Sequence, residues 1–201
     1  NLPGHGHSGG QAEDDIPAYV ERVKDILDVL DLKRPVLIGH SMGAAIALGV
    51  AAKYPQDLSG VVTLGGGVTL PVNPDILDGL KSAPDVVLDM ICKFSLAKEN
   101  RPKLFDTLRA SLAETPVDVL ASDMLACSKV DLTQELSKIY APVLAVCGLQ
   151  DKMTPPSFSE RIVAGITGAR LLLIEGAGHM VMMEKPDSVN DALKTFCETV
   201  K

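Results

Sequence analysis

The stretch "PVLIGHSMGAAIALGVAAKYP" (35–55) changes character in its middle. Residues 35–39 form a short continuous apolar run, as expected of a strand buried on both faces. From Met42 onward the chain is Ala-rich and apolar in the manner of a buried helix, which Pro55 closes. Between them lies Gly39-His40-Ser41-Met42-Gly43. A Gly-x-Ser-x-Gly at a strand-to-helix turn is the pattern of a nucleophile elbow. In so tight a turn, a side chain at either glycine is expected to collide with neighbouring backbone. The serine is pushed out above the sheet at a helix N-terminus, where backbone N–H groups can stabilise an oxyanion. The competing reading is a structural Gly-Ser turn; the strand before it and the helix after it favour the nucleophile.

The same two signatures recur along the chain. "GVVTLGGG" (60–67), "PVLAVCGL" (142–149) and "ARLLLIEG" (169–176) repeat the apolar strand run. Helical spacing appears between Asp15 and Leu30, with Ile16, Val20, Val23, Ile26, Leu27 and Leu30 on one stripe, Asp15 as N-cap and Pro17 in the first turn. Further helices are expected over 156–167 and 187–200. This alternation predicts an α/β fold with a mostly parallel sheet covered by helices on both faces. Residues 71–139 break the rhythm: four segments, each starting near a proline, carry helical periodicity with no strand between them. The expected organisation is therefore a core of 1–70 and 140–201 with an all-helical insertion, 71–139. An apolar stripe of Ile76, Leu77, Val86, Val87, Ile91, Phe94, Met124 and Leu125 is either the underside of that insertion or packing between its helices.

A serine hydroxyl needs a base held in orientation by an acid. The chain has four histidines, at 5, 7, 40 and 179. His179 follows the strand "RLLLIEG" in the loop "GAGHM", at the carboxyl end where open parallel sheets assemble their sites. It is the candidate base. Asp151, in "CGLQDKMTPP" just after another strand, is the candidate acid; it also fits a turn-forming role. After "GVVTLGGG" the first acidic residue is Asp75, already entering the insertion. The order Ser, Asp, His is the one found on hydrolase sheets of this kind. His40, inside the elbow and expected to turn away from Ser41, joins Met180 and Met182 as candidate pocket residues, the methionines being equally suited to plain packing.

Of 201 residues, 46% are hydrophobic and the formal charge is −7, so a nucleic-acid partner is disfavoured for want of clustered Lys and Arg. No apolar run is long enough for a membrane span, and no signal-peptide pattern opens the chain. Cysteines 92, 127, 147 and 197 are far apart in apolar segments, which favours buried reduced thiols in a cytoplasmic protein over disulfides or zinc. No His/Asp/Glu cluster has metal-ligand spacing, and no cofactor is expected.

"LPGHGHS" (2–8), "GHSMGA" (39–44), "GLQDKMTPP" (148–156) and "GAGHMVMMEKP" (176–186) together resemble the lid-bearing α/β-hydrolases, a grouping of carboxylesterases, enol-lactonases and cofactor-free haloperoxidases. The resemblance implies a serine hydrolase of small carboxylic esters or lactones. In it Ser41 is the nucleophile, His179 the base, Asp151 the orienting acid and the Met42 amide one oxyanion donor. The insertion would act as a lid whose removal alters acyl preference while Ser41 stays reactive. The four strands would be the fifth to eighth of an eight-stranded sheet. Asn1 then stands where such chains carry an Asp after their fourth strand, and the turn supplying a second oxyanion donor is not in the sequence. That alignment leads to an expectation of self-association, or of pairing with a missing N-terminal segment, along the strand at 35–39. The alternatives are perhydrolase chemistry on the same triad and a catalytically impaired binding or assembly module.

Overall fold

A computed structural model of the chain describes residues 1–200. Asp15 caps the first helix, accepting the Ala18 N–H at 2.7 Å, and α1 (Ile16–Val29) follows. Then come β1 (Val36–His40), α2 (Met42–Lys53) and β2 (Gly60–Leu64). The insertion supplies α3 (Pro74–Ser82), α4 (Pro84–Ser95), α5 (Arg101–Ala113) and α6 (Val117–Lys129). Proline stands in the first turn of α3, α4 and α5, where its missing N–H has no helical partner to lose. A single 3-10 turn (Leu136–Lys138) leads back to β3 (Val143–Gly148), α7 (Pro156–Gly165), β4 (Arg170–Ile174), α8 (Val181–Glu184) and α9 (Pro186–Thr199).

The four strands form one sheet in the order β1-β2-β3-β4, every pair parallel. Their alternation feeds two cores. Val61 and Val143 face a cluster built from α1, α2 and α7, including Ile16, Tyr19, Leu48 and Ile162. Val62, Leu64, Leu144 and Val146 face the other side, where Val189 and Phe196 of α9 cover them. Each fully buried side chain of this kind contributes about 1.5–3 kcal/mol, so the sheet is held from both faces.

An isolated antiparallel bridge between Thr69 and Asp131, with Leu132 N–H donating to Val68 O at 2.9 Å, closes the neck of the insertion. Residues 132–139, read from the sequence as part of the insertion, instead return to the body: Leu132, Leu136 and Ile139 pack in the first core. The insertion has a core of its own in Leu80, Val87, Leu88, Ile91 and Leu120, with Ile76 and Met124 packed against it. Much of the apolar stripe is thus packing between these helices, whereas Val86 and Phe94 face outward, 68% and 42% exposed. Cysteines 92, 127 and 147 are buried and Cys197 is exposed. It follows the buried Phe196 by one helical position, about 100° round the axis. Burial pushes the Cys127 and Cys147 thiols up to about 12. No helix among the described residues is long and apolar enough to cross a membrane.

Within the described residues β1 pairs only with β2. Ile38 on that edge is 44% exposed, and Ile26, Val29, Leu30 and Leu32 at the end of α1 are also exposed. Open apolar strand edges seek partners. The 201-residue chain is therefore expected to self-associate, and Ile38→Lys to reduce that association. Light scattering across a dilution series checks this; a wild-type chain that stays monomeric throughout contradicts it.

Candidate active site

The turn between β1 and α2 holds Ser41 at φ 53°, ψ −116°, a conformation costly for a residue with a side chain. Its N–H donates to Leu64 O at 3.0 Å and its carbonyl accepts from Ala44 N–H at 2.9 Å, so neighbouring backbone imposes the angle. A Cβ on Gly39 would fall onto the carbonyl of Gly43 and lie 2.7 Å from Ala44 N, which explains the first glycine. The second behaves differently. A Cβ on Gly43 meets nothing within 4 Å, so the expected collision applies to Gly39 alone. Gly43 lies in the first turn of α2, facing open space. Met42 begins that helix, where N–H groups lack intrahelical partners, and its side chain rests on the first core.

Asp151 and His179 follow the carboxyl ends of the adjacent strands β3 and β4 and meet there. His179 Nδ1 lies 2.9 Å from Asp151 Oδ2, with each residue only 4% exposed. The other carboxylate oxygen accepts the N–H groups of Met153 and Thr154, both at 2.9 Å, so the acid cannot rotate freely. A carboxylate facing Nδ1 fixes the proton there and leaves the lone pair of the neutral ring on Nε2. Nε2 has no hydrogen-bond partner among the described residues.

Thr154, which sequence reasoning passed over, completes this arrangement. Its Oγ1 is 2.7 Å from Gly65 O, 3.0 Å from Asp151 Oδ2 and 3.1 Å from His179 Nδ1. Its one hydrogen serves Gly65 O or Asp151, and its lone pairs face the Nδ1–H. The signal was a threonine three residues after an aspartate, the spacing of a side-chain-closed turn. Gly65, at φ 53°, allows the approach: a Cβ there would come within 3.0 Å of His179 Nδ1 and 3.2 Å of Asp151 Oδ2.

His40 joins the β1–α2 turn to the loop that carries His179. Its Nε2–H donates to His179 O at 3.0 Å, and the two ring centroids are 4.6 Å apart. Burial, and then the nearby His179, push the His40 pKa down from 6.5 to about 4. Because the folded value is the lower one, the fold favours neutral His40. Its contribution is complete above about pH 6.5 and is lost as pH falls toward about 4. The expected loss is on the order of 3 kcal/mol. Stability, measured by denaturation across that window, should fall more steeply with decreasing pH for the wild type than for His40→Gln; equal slopes contradict the assignment.

The other two expected pocket residues are partly buried against core clusters. Met180 packs with Cys92, Leu96 and Leu108, and Met182 against the second core. His5 lies at the insertion: its Nε2 is 2.8 Å from Asp123 Oδ2 on α6, and Tyr19 donates to the other Asp123 oxygen at 2.7 Å. No grouping of three or more His, Cys, Asp or Glu suited to a metal occurs among the described residues.

A model of the Alpha/beta hydrolase family matches residues 1–192. The dihydrolipoyllysine-residue acetyltransferase component of an acetoin cleaving system from Pseudomonas putida is 30% identical over 205 residues, covering 98% of this chain and 54% of that relative. A solved thermophilic esterase is 32% identical with a TM-score of 0.89, covering all of this chain and 79% of that one. The enol-lactonase from Burkholderia xenovorans LB400, at 21% identity, shares the fold with a TM-score of 0.91 over 98% of this chain and 79% of that chain. With a family model covering nearly its whole length and a parallel sheet whose strand ends carry a serine elbow and a buried Asp–His pair, this chain belongs to the alpha/beta hydrolase family.

Proposed function

We propose that this chain is a serine hydrolase of small carboxylic esters or lactones, with Ser41 as nucleophile, His179 as base and Asp151 as the acid that orients it. His179 Nε2 takes the Ser41 hydroxyl proton as Oγ attacks the ester carbonyl. The tetrahedral oxyanion collapses to an acyl-enzyme, and the imidazolium gives its proton to the departing alkoxide. Water, deprotonated by the same nitrogen, then releases the carboxylic acid. The Met42 amide, at the N-terminus of α2, donates to the oxyanion. The observation that carries this reading is the buried 2.9 Å contact of His179 Nδ1 with Asp151, which leaves Nε2 as a free base. His40, the residue before the serine, bonds to the His179 carbonyl and so ties the elbow to the base loop. The 32% identity to a thermophilic esterase supports ester substrates.

The test is a fluorophosphonate probe together with a panel of p-nitrophenyl esters from acetate to octanoate. The expected result is covalent labelling at Ser41 and turnover favouring short acyl chains. A folded chain that neither labels nor turns over any ester overturns the reading.

A further inference from the structure

We infer that Glu184 is a positioning residue that fastens the loop carrying His179 to the helical insertion, an inference that rests on the reading of His179 as base. Glu184 ends α8, five residues after His179 in "GAGHMVMMEKP". Its Oε1 accepts the Gly178 N–H at 2.8 Å. Its Oε2 accepts the Ala97 N–H at 2.8 Å and the Asn100 side-chain amide at 2.7 Å. One carboxylate thus joins the residue before the base to the junction between α4 and α5. Hydrogen bonds to an ionised acceptor are roughly twice as strong as neutral ones.

The surrounding bonds follow the same pattern. Asn100 also donates to Gly176 O at 2.9 Å. Ser95 O, at the end of α4, accepts the N–H groups of both His179 (2.8 Å) and Met180 (3.1 Å). On the sheet side, Gln150 N–H holds Ala177 O at 2.9 Å and His40 holds His179 O. The base loop is therefore gripped from the sheet by two donors and from the insertion by Ser95, Ala97 and Asn100. Glu184 is the side chain that touches both the loop and residues 97 and 100. Without its carboxylate, the Gly178 and Ala97 N–H groups lose their acceptor, a cost that falls directly beside the base.

Such a fastening runs against the expectation of a detachable lid. Removing 71–139 would take away Ser95, Ala97 and Asn100 together, so Ser41 reactivity should be lost rather than kept.

The experiment uses the full chain with Glu184→Gln and, as a milder change, Asn100→Ala, which leaves the carboxylate its two backbone donors. Three quantities are read well below each variant's melting temperature: the low-field proton resonance of the His179 Nδ1–H, the rate of fluorophosphonate labelling at Ser41, and kcat and KM for p-nitrophenyl acetate. The expected result for Glu184→Gln is a broadened resonance, with labelling and kcat lowered about 10–100-fold and KM within about two-fold, and a smaller change in the same direction for Asn100→Ala. A sharp, unshifted resonance in both folded variants overturns the inference. The resonance needs no substrate, so a wild-type chain that fails to label refutes the esterase reading while still testing the clamp.

Discussion

Ser41→Ala is expected to lower ester hydrolysis by roughly 10⁴–10⁶-fold while leaving the fold intact, because the proposed mechanism builds the acyl-enzyme on Ser41. Steady-state turnover of p-nitrophenyl acetate, with the probe as a check for residual labelling, measures it. Retention of a tenth of wild-type activity would remove Ser41 from the mechanism. The backbone angle adds a second arm. At φ 53°, Ser41 stands in a region that glycine enters without penalty. Ser41→Gly should therefore be equally inactive yet more stable than wild type, by about 1–3 kcal/mol. Alanine keeps the strain and should not be stabilised. A turn that holds its serine in a costly conformation gives up stability for position.

Gly39→Ala should be among the most damaging single methyls in the protein. The new Cβ meets the backbone of Gly43 and Ala44, which cannot move without opening the elbow. A cost of about 3–5 kcal/mol is expected, a large part of the 5–15 kcal/mol available to an ordinary domain. Gly43→Ala, four residues on, should be neutral or stabilising by up to about 1 kcal/mol, since its Cβ enters open space and the residue is helical. Urea denaturation of the two variants decides the matter. Equal destabilisation would mean that the motif's two glycines serve one purpose, which the geometry of this turn denies.

Much of the fold was legible because its signals are local. Apolar runs at 36–40, 60–64, 143–148 and 170–174 mark the four strands, of which β2 and β3 are buried throughout and β1 and β4 are partly exposed, and Asp15 with Pro17 marks the start of α1. Chain order then brings Asp151 beside His179, since adjacent parallel strands end at the same edge of the sheet. What stayed hidden depends on contacts between distant residues. Asp123 reads as one polar residue on an insertion helix, yet it is 8% exposed and holds both His5 and Tyr19. Thr154 reads as a turn residue until folding brings Gly65 to it. That Leu132, Leu136 and Ile139 pack in the first core depends on the fold as a whole, since a run of residue types cannot say which of two cores a side chain will join. A pattern of residue types likewise could not separate Gly39 from Gly43.

The order β1-β2-β3-β4 along the sheet is also the order along the chain, with the insertion hung between the second and third strands. This arrangement has a consequence for how the molecule assembles. Strand β1 finds β2 across one short helix, and β3 finds β4 across another, so each half can form by nearby encounters. Pairing β2 with β3 must close the whole interval from Leu64 to Val143, the slow and entropically demanding step. The Thr69–Asp131 bridge shortens that search, because an insertion that folds first brings its two ends together at the sheet. During synthesis from the N-terminus, the edge of β2 that pairs with β3 therefore stays open until the insertion has gathered. The helices between the strands govern when the sheet is completed.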